Sequence, residues 1–240
     1  MALGRETVPM AFEITTEAAL RELLGEPIHE LVVAKSTAVI TEPLRRYIER
    51  SPFACLATYG PDGTCDISPR GDPPGFVKVV DESTLFLPER PGNKRLDSII
   101  NIIHTSQLSL LFMIPGTLES VRVNGTGTVT TDPTWLGRCA VNGKPPELGV
   151  LITVTEAFGH CSKALRRSKL WSDDYVAREG VPTLTQMMGA HLGLDQGTSA
   201  AWTRVLRTTF APTCTEWVAR PTHADFPAST AWGLTWQPSI

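Results

Sequence analysis

The stretch FACLATYGPDGTCDISPRGDPPGFVKVVDESTLFLPERPGNKR, residues 53–95, decides the fold. Phe53 to Thr58 is a short apolar run, Gly60-Pro61-Asp62-Gly63 is a tight-turn signal, and the chain returns through Cys65 to Ser68. That pattern predicts a β-hairpin. Gly75 to Val80 reads as a third strand, Asp81-Glu82-Ser83 as a turn, and Thr84 to Leu87 as a fourth strand. Working outward, Gln107 to Ile114 and Val121 to Thr130 flank a Pro115-Gly116 break, and Leu148 to Gly159 is a sixth or seventh strand. Asn124-Gly125 reads as a bulge or turn. Short strands about ten residues apart, with one helix among them, describe a small β-barrel or sandwich rather than a parallel α/β sheet.

Helical signals surround this core. Thr16 to Gly25 reads as a helix capped by Thr16, with Leu20, Leu23 and Leu24 on one face. Thr41-Glu42-Pro43 opens a second, carrying Leu44, Tyr47 and Ile48 until Ser51-Pro52 stops it. Within the β region, Asn93 is placed to cap a helix with Leu96, Ile99, Ile100 and Ile103 on its apolar side. Ser162 to Trp171 and Thr183 to Leu192 read as helices again. The chain therefore divides into an N-terminal helical segment (1–50), a β domain with associated helices (51–192) and an extension (193–240). The final stretch, from Asp195, holds Trp202, Trp217, Trp232 and Trp236 and has no clean period.

Composition narrows the class. The 240 residues carry 22 Lys+Arg against 25 Asp+Glu, a net −3 with neutral histidine. Without a cationic excess the chain lacks the footprint of a nucleic-acid binder. The longest apolar runs, Leu108 to Pro115 and Ile99 to Ile103, are too short for a membrane span. Met1 to Met10 includes Arg5 and Glu6 and has no apolar signal-peptide core. The five cysteines (55, 65, 139, 161 and 214) form no CxxC or Cys/His cluster. Reduced thiols in the cytoplasm and no metal site are the expectation.

Three segments could bind an anion. Ser68-Pro69-Arg70-Gly71-Asp72-Pro73-Pro74-Gly75 sets a hydroxyl, a planar guanidinium and flexible backbone where one strand ends and the next begins. It reads equally as a polar loop with Arg70 paired to Asp72. Glu89-Arg90-Pro91-Gly92-Asn93-Lys94-Arg95 lies between a strand and the internal helix and places Lys94 and Arg95 where that helix should begin, beside unpaired N–H groups. Lys163, Arg166, Arg167 and Lys169, ending at Trp171, form a third cluster, in which Lys163 and Arg167 lie four apart on one helical face with Arg166 beside them; it reads also as an ordinary solvated helix face. The five histidines are scattered, and no GxSxG, GxxxxGK[ST] or GxGxxG is present.

The quoted stretch, extended through LDSIINIIHTSQLSLLFMIPGTLESVRVNGTGTVTTDP and joined by HCSKALRRSKLW at 160–171, resembles the pyridoxamine 5′-phosphate oxidase-like, FMN-binding split-barrel family. The branch resembled is one with SPRGDPPGF and PGN-K/R motifs, over about residues 25–192. The resemblance implies a six-stranded antiparallel split β-barrel, mainly β with flanking helices, forming a homodimer with FMN in clefts between subunits. It implies that Ser68 and Arg70 flank the flavin and that Phe86, Leu87 and Pro88 form the strand facing the flavin edge. Asn93, Lys94 and Arg95 would hold the phosphate, and Lys163 and Arg167 would reach the cofactor from the partner subunit. It further implies an FMN-dependent oxidoreductase acting on a small molecule, or a flavin-binding sensor without turnover. The RxxLLK-like strand and C-terminal Trp and Arg motifs of true pyridoxamine phosphate oxidases are absent, so that particular activity is not expected. A deazaflavin could take the same cleft; haem would need an axial ligand that no residue here stands out to supply.

Overall fold

A computed structural model of the chain describes residues 12–172, 180–193, 195, 197, 198, 201 and 202. Most of the Trp-rich extension lies outside the described residues. The strands are β1 (Phe53–Tyr59), β2 (Cys65–Gly71), β3 (Lys78–Val79), β4 (Thr84–Pro88), β5 (Gln107–Met113), β6 (Ser120–Thr130) and β7 (Gly149–His160). The helices are α1 (Glu17–Leu24), α2 (Leu31–Ala34), α3 (Glu42–Arg50), α4 (Asp97–Thr105), α5 (Pro133–Arg138), α6 (Lys163–Ser168) and α7 (Leu184–Leu192).

All seven strands join one antiparallel sheet in the order β2-β1-β5-β6-β7-β4-β3. The β1–β2 hairpin closes as expected, with Tyr59 opposite Cys65 and the Gly60 N–H donating to Thr64 O at 2.8 Å. The resemblance implied six strands; the sheet has seven and is not closed. Pro73-Pro74 interrupts the chain after β2, because proline cannot donate to a ladder. The chain then re-enters as the two-residue β3 against β4, which adds a strand and leaves β2 and β3 as edges.

Alternation fixes the core. Ala54 and Leu56 of β1, Leu108, Leu110 and Phe112 of β5, Val121 and Val123 of β6, and Val150, Ile152 and Val154 of β7 are buried with Ile48, Ile99 and Ile102. Asn124-Gly125 is a bulge, where the β6–β7 register shifts. Gly127 permits close approach of the internal helix: a Cβ there would lie 2.7 Å from Leu108 Cδ2 and 3.1 Å from Ile102 Cγ2.

That helix, α4, departs from the expected frame. It begins at Asp97, not beside Asn93. The Asn93 carboxamide instead accepts the Arg95 N–H at 3.0 Å, which spends its capping capacity on a local turn. Lys94 and Leu96 are both left-handed, with φ of 60° and 62°. Ser98, Ile99, Asn101 and Ile102 face inward, while Leu96, Ile100 and Ile103 are exposed. Asn101 sets this rotation, donating to Thr58 Oγ1 at 3.2 Å and Asp66 Oδ2 at 2.7 Å. Two short helices not anticipated from the sequence, α2 and α5, complete the chain's turns.

Candidate functional site

Strand alternation turns Asp66, Ser68 and Arg70 of β2 toward α4, while Ile67 points away and is exposed. The Ser68 hydroxyl lies 3.0 Å from the buried Ser98 hydroxyl in the first turn of α4. Arg70 Nε donates to Ser68 Oγ at 3.2 Å, and its Nη1 pairs with Glu89 just beyond β4. Both side chains of that ion pair are about 85% withdrawn from solvent, at 16% and 15% exposure. Two residues on, Asp72 pairs with Arg90. The expected alternative, Arg70 with Asp72, is therefore replaced by two ion pairs that tie the end of edge strand β2 to the segment following β4. Neither tie is a sheet hydrogen bond.

Phe86, Leu87 and Pro88 are buried, so they can present only backbone to a ligand. Phe86 stacks on Trp135, centroids 6.1 Å apart, and Leu87 lies in the main core. β7 pairs β4 as far as Pro88, but β3 stops at Lys78 opposite Phe86. The β4 edge beyond Phe86 is thus free of strand pairing on the β3 side. Lys94 is exposed and, among the described residues, makes no hydrogen bond or ion pair. Arg95 is exposed and pairs with Asp97. No side chain caps the α4 N-terminus, so its first N–H groups remain available beside the Ser98 hydroxyl.

Ser68, Arg70, the α4 start and the segment after β4 therefore form one neighbourhood, into which the 93–95 loop leads. Lys163 and Arg167 do not join it. They are exposed on α6, which follows the His160 end of β7, whereas Pro88 pairs with the Gly149 end. Trp171, just past α6, donates from Nε1 to Thr117 O at 2.9 Å, anchoring this region at the β5–β6 turn. Nearby, the Phe158 ring lies between Lys35 and Arg122 (4.7 and 4.3 Å to the centroid). Glu156 accepts from Ser36, Arg122 and Asn124, and these hydrogen bonds hold its carboxyl below the usual range.

Sequence reasoning singled out the segments holding Asp72, Glu89 and Arg90 but missed the roles of Glu89 and Ser98, the pairing of Asp72 with Arg90, and a cavity of about 170 Å³ whose lining includes Lys78, Arg90, Arg138 and Cys139. For Ser98 the signal was available: a serine in the first turn of the predicted helix. For Glu89 none was, since its role depends on β2 reaching the end of β4. Among the described residues no group of three or more His, Cys, Asp or Glu could hold a metal ion, and no helix is long and apolar enough to cross a membrane.

The family model described as pyridoxamine 5′-phosphate oxidase matches residues 40–161, just over half of the chain. The chain belongs to this family. The matched span holds the whole sheet and every residue of the β2–β4–α4 neighbourhood. A comparison with curated proteins finds no match. Among solved structures, HupZ of Group A Streptococcus is similar at 22% identity, covering 51% of this chain and 95% of that one, with a TM-score of 0.41. A Lactobacillus delbrueckii protein of pyridoxamine 5′-phosphate oxidase type is 25% identical over 51% of this chain and 95% of its own, with a TM-score of 0.40. A Clostridium acetobutylicum protein related to general stress protein 26 is 14% identical, covering 48% and 84%, with a TM-score of 0.35.

Proposed function

We propose that this member of the pyridoxamine 5′-phosphate oxidase family is an FMN-dependent oxidoreductase acting on a small molecule. The observation that carries the reading is the meeting of Ser68 and Arg70 with Ser98 at an uncapped helix start, into which the Lys94–Arg95 loop leads. The donor set fits a phosphate ester: two exposed cations, two hydroxyls and free helix N–H groups are the chemistry that a dianion requires. The two left-handed residues, Lys94 and Leu96, support this assignment. Each costs about 1–2 kcal/mol relative to right-handed backbone, and such backbone concentrates at ligand clamps.

When bound, FMN supplies the redox chemistry itself. The chain's share is binding and orientation. Lys94, Arg95 and the α4 N–H groups hold the phosphate; Ser68 and Arg70 fix the flank; and the β4 edge beyond Phe86, where Pro88 keeps on the β3 side a carbonyl unpaired among the described residues, offers backbone to the flavin rim. The ion pair with Glu89 holds the Arg70 guanidinium in one orientation, so the strand presents it without a search through rotamers.

The same reading assigns a homodimer. The outward faces of β1, β2 and β5 carry Cys55, Ala57, Leu111 and Met113, which are half-buried, and Tyr59 and Ile67, which are exposed, an apolar sheet surface only partly covered by the described residues. A second copy would cover it, and that copy's α6 would bring Lys163 and Arg167 to a cofactor they cannot reach within one chain.

Replacing Lys94 and Arg95 together with alanine tests the assignment. Loss of two charge-assisted contacts, at ~1.5–3 kcal/mol each, should weaken FMN binding by at least about a hundredfold, read by flavin fluorescence quenching in a variant with unchanged circular dichroism. Unaltered FMN affinity would remove the loop from the site.

A further inference from the structure

We propose that the N-terminal arm, residues 13–34, lays the leucine face of α1 on the outward sheet face of a second copy, and that the second copy returns the same contact. This rests on the homodimer part of the reading above and not on its flavin. It names the element that covers the sheet and the charges that align it.

α1 has the form of a packing helix without a partner. Thr16 caps its start by accepting the Ala19 N–H at 3.2 Å, and the Gly25 N–H closes its end on Arg21 O at 2.7 Å. Helical spacing puts Leu20, Leu23 and Leu24 on one face, with Glu17 and Glu22 at its two flanks. Leu23 and Leu24 are 67% and 74% exposed, and α1 buries no residue. The arm is also acidic: Glu13, Glu17, Glu22, Glu26 and Glu30 stand against Arg21. Amphipathic helices that lie on membranes carry Lys and Arg on their polar face, and an acidic face is repelled by anionic lipid. An apolar stripe with acidic flanks calls instead for an apolar protein face bordered by cations.

The outward face of the sheet has that make-up. Strand register runs a row across it, Pro69 opposite Cys55, Cys55 opposite Leu111, Leu111 opposite Arg122 and Arg122 opposite Phe158. The β2–β1–β5 part is apolar, and Tyr59 and Ile67 are exposed on it. The β6–β7 part is the cationic border. There Lys35 and Arg122 flank the Phe158 ring, with Glu156 paired to Arg122. His160 lies against the same ring, centroids 4.9 Å apart. Burial, and then Arg122 and Lys35, hold its pKa below the usual value, so both cations act on this border. α6, with Lys163, Arg166 and Arg167, begins just past it.

The arm does not reach that field in its own chain. Its root is clipped to β7: Ser36 Oγ donates to Glu156 Oε1 at 2.7 Å, and Thr37 bridges Ala157. The clip extends the sheet on the side of β7 away from β6. From there β1 is four strand spacings off, roughly 20 Å at ~4.8 Å each. The arm and α6 leave the sheet at the same end of β7, so a copy placed to send α6 across sends its arm across too. In a twofold pair the same arm and the same face meet twice, and the contact closes.

Sedimentation equilibrium of the full-length protein, with chemical cross-linking, tests this. Leu20→Glu/Leu23→Glu should raise the dimer dissociation constant at least about a hundredfold, because two leucine side chains lose their cover. Both positions are exposed in one chain, so the variant keeps its fold, which circular dichroism checks. Leu23→Cys treated with a short bis-maleimide should give a covalent dimer that the wild type does not give. That dimer should vanish when Cys55 and Cys65, the cysteines on the outward face, are both serine. A monomeric wild type overturns this proposal and the dimer reading together. A dimer whose dissociation constant is unmoved by the leucine variant overturns this proposal alone, as does a bridge formed within one chain.

Discussion

Arg70 shows how one side chain links the sheet to the site. Its ion pair with Glu89 is largely withdrawn from solvent, so removing one partner strands the other's charge. Arg70→Ala should cost roughly 3–5 kcal/mol, the range for breaking a buried pair. Arg70→Met/Glu89→Met should cost clearly less, because no charge is left uncompensated. Urea denaturation of the single and double variants checks this; a double variant less stable than Arg70→Ala would show that Arg70 acts through packing instead. The sequence made Arg70 stand out, since a guanidinium between Pro69 and Gly71 at a strand end has few structural duties. It did not identify the partner. Asp72 is the nearer carboxylate in sequence, but β2 carries residues 70 and 72 past different parts of the segment after β4, and register across that gap is not a sequence property.

Among the elements, β4 and α4 carry the site, and their placement depends on small residues in neighbouring strands. Gly149 of β7 pairs with Pro88, and a Cβ there would collide with the Phe86 ring and lie 2.9 Å from Leu87 O. Gly149→Ala should therefore destabilise the protein by about 1–3 kcal/mol, as overpacking does, and reduce FMN retention because it displaces the strand proposed to face the flavin. Thermal melts with and without added FMN measure both effects; a variant matching the wild type in stability and flavin content would detach β4 from the site. All the strands were legible as apolar or alternating runs between turn residues. For α4, existence was legible and frame was not. Asn93 carries a good capping side chain, but the left-handed turn at Lys94 and Leu96 uses it locally. The helix then rotates to bring Asn101 onto Thr58 and Asp66, turning Ile100 and Ile103 outward against the expectation from periodicity alone.

At the scale of the whole molecule, the chain makes an open antiparallel sheet whose two ends are joined by side chains rather than by hydrogen-bonded strands. Two crossing ion pairs, Arg70–Glu89 and Arg90–Asp72, bridge that gap. The proposed flavin site lies beside the first. Large apolar surfaces remain open, including Tyr59 and Ile67 on the sheet and Leu23 and Leu24 on α1. α1 is capped by Thr16 at its start and by Gly25 at its end, yet buries no residue. A helix of eight residues is not stable on capping alone, which is why a second copy belongs in the account. In the proposed dimer, burial between copies would leave no mark in the periodicity, because a strand half-covered by a partner reads like one packed on its own core. The central claim is tested most directly by the absorption spectrum of the purified full-length protein, taken before and after heat release of any chromophore. The account predicts a flavin spectrum with FMN, identified by mass, in the released fraction. A colourless protein that takes up no FMN on reconstitution would contradict it.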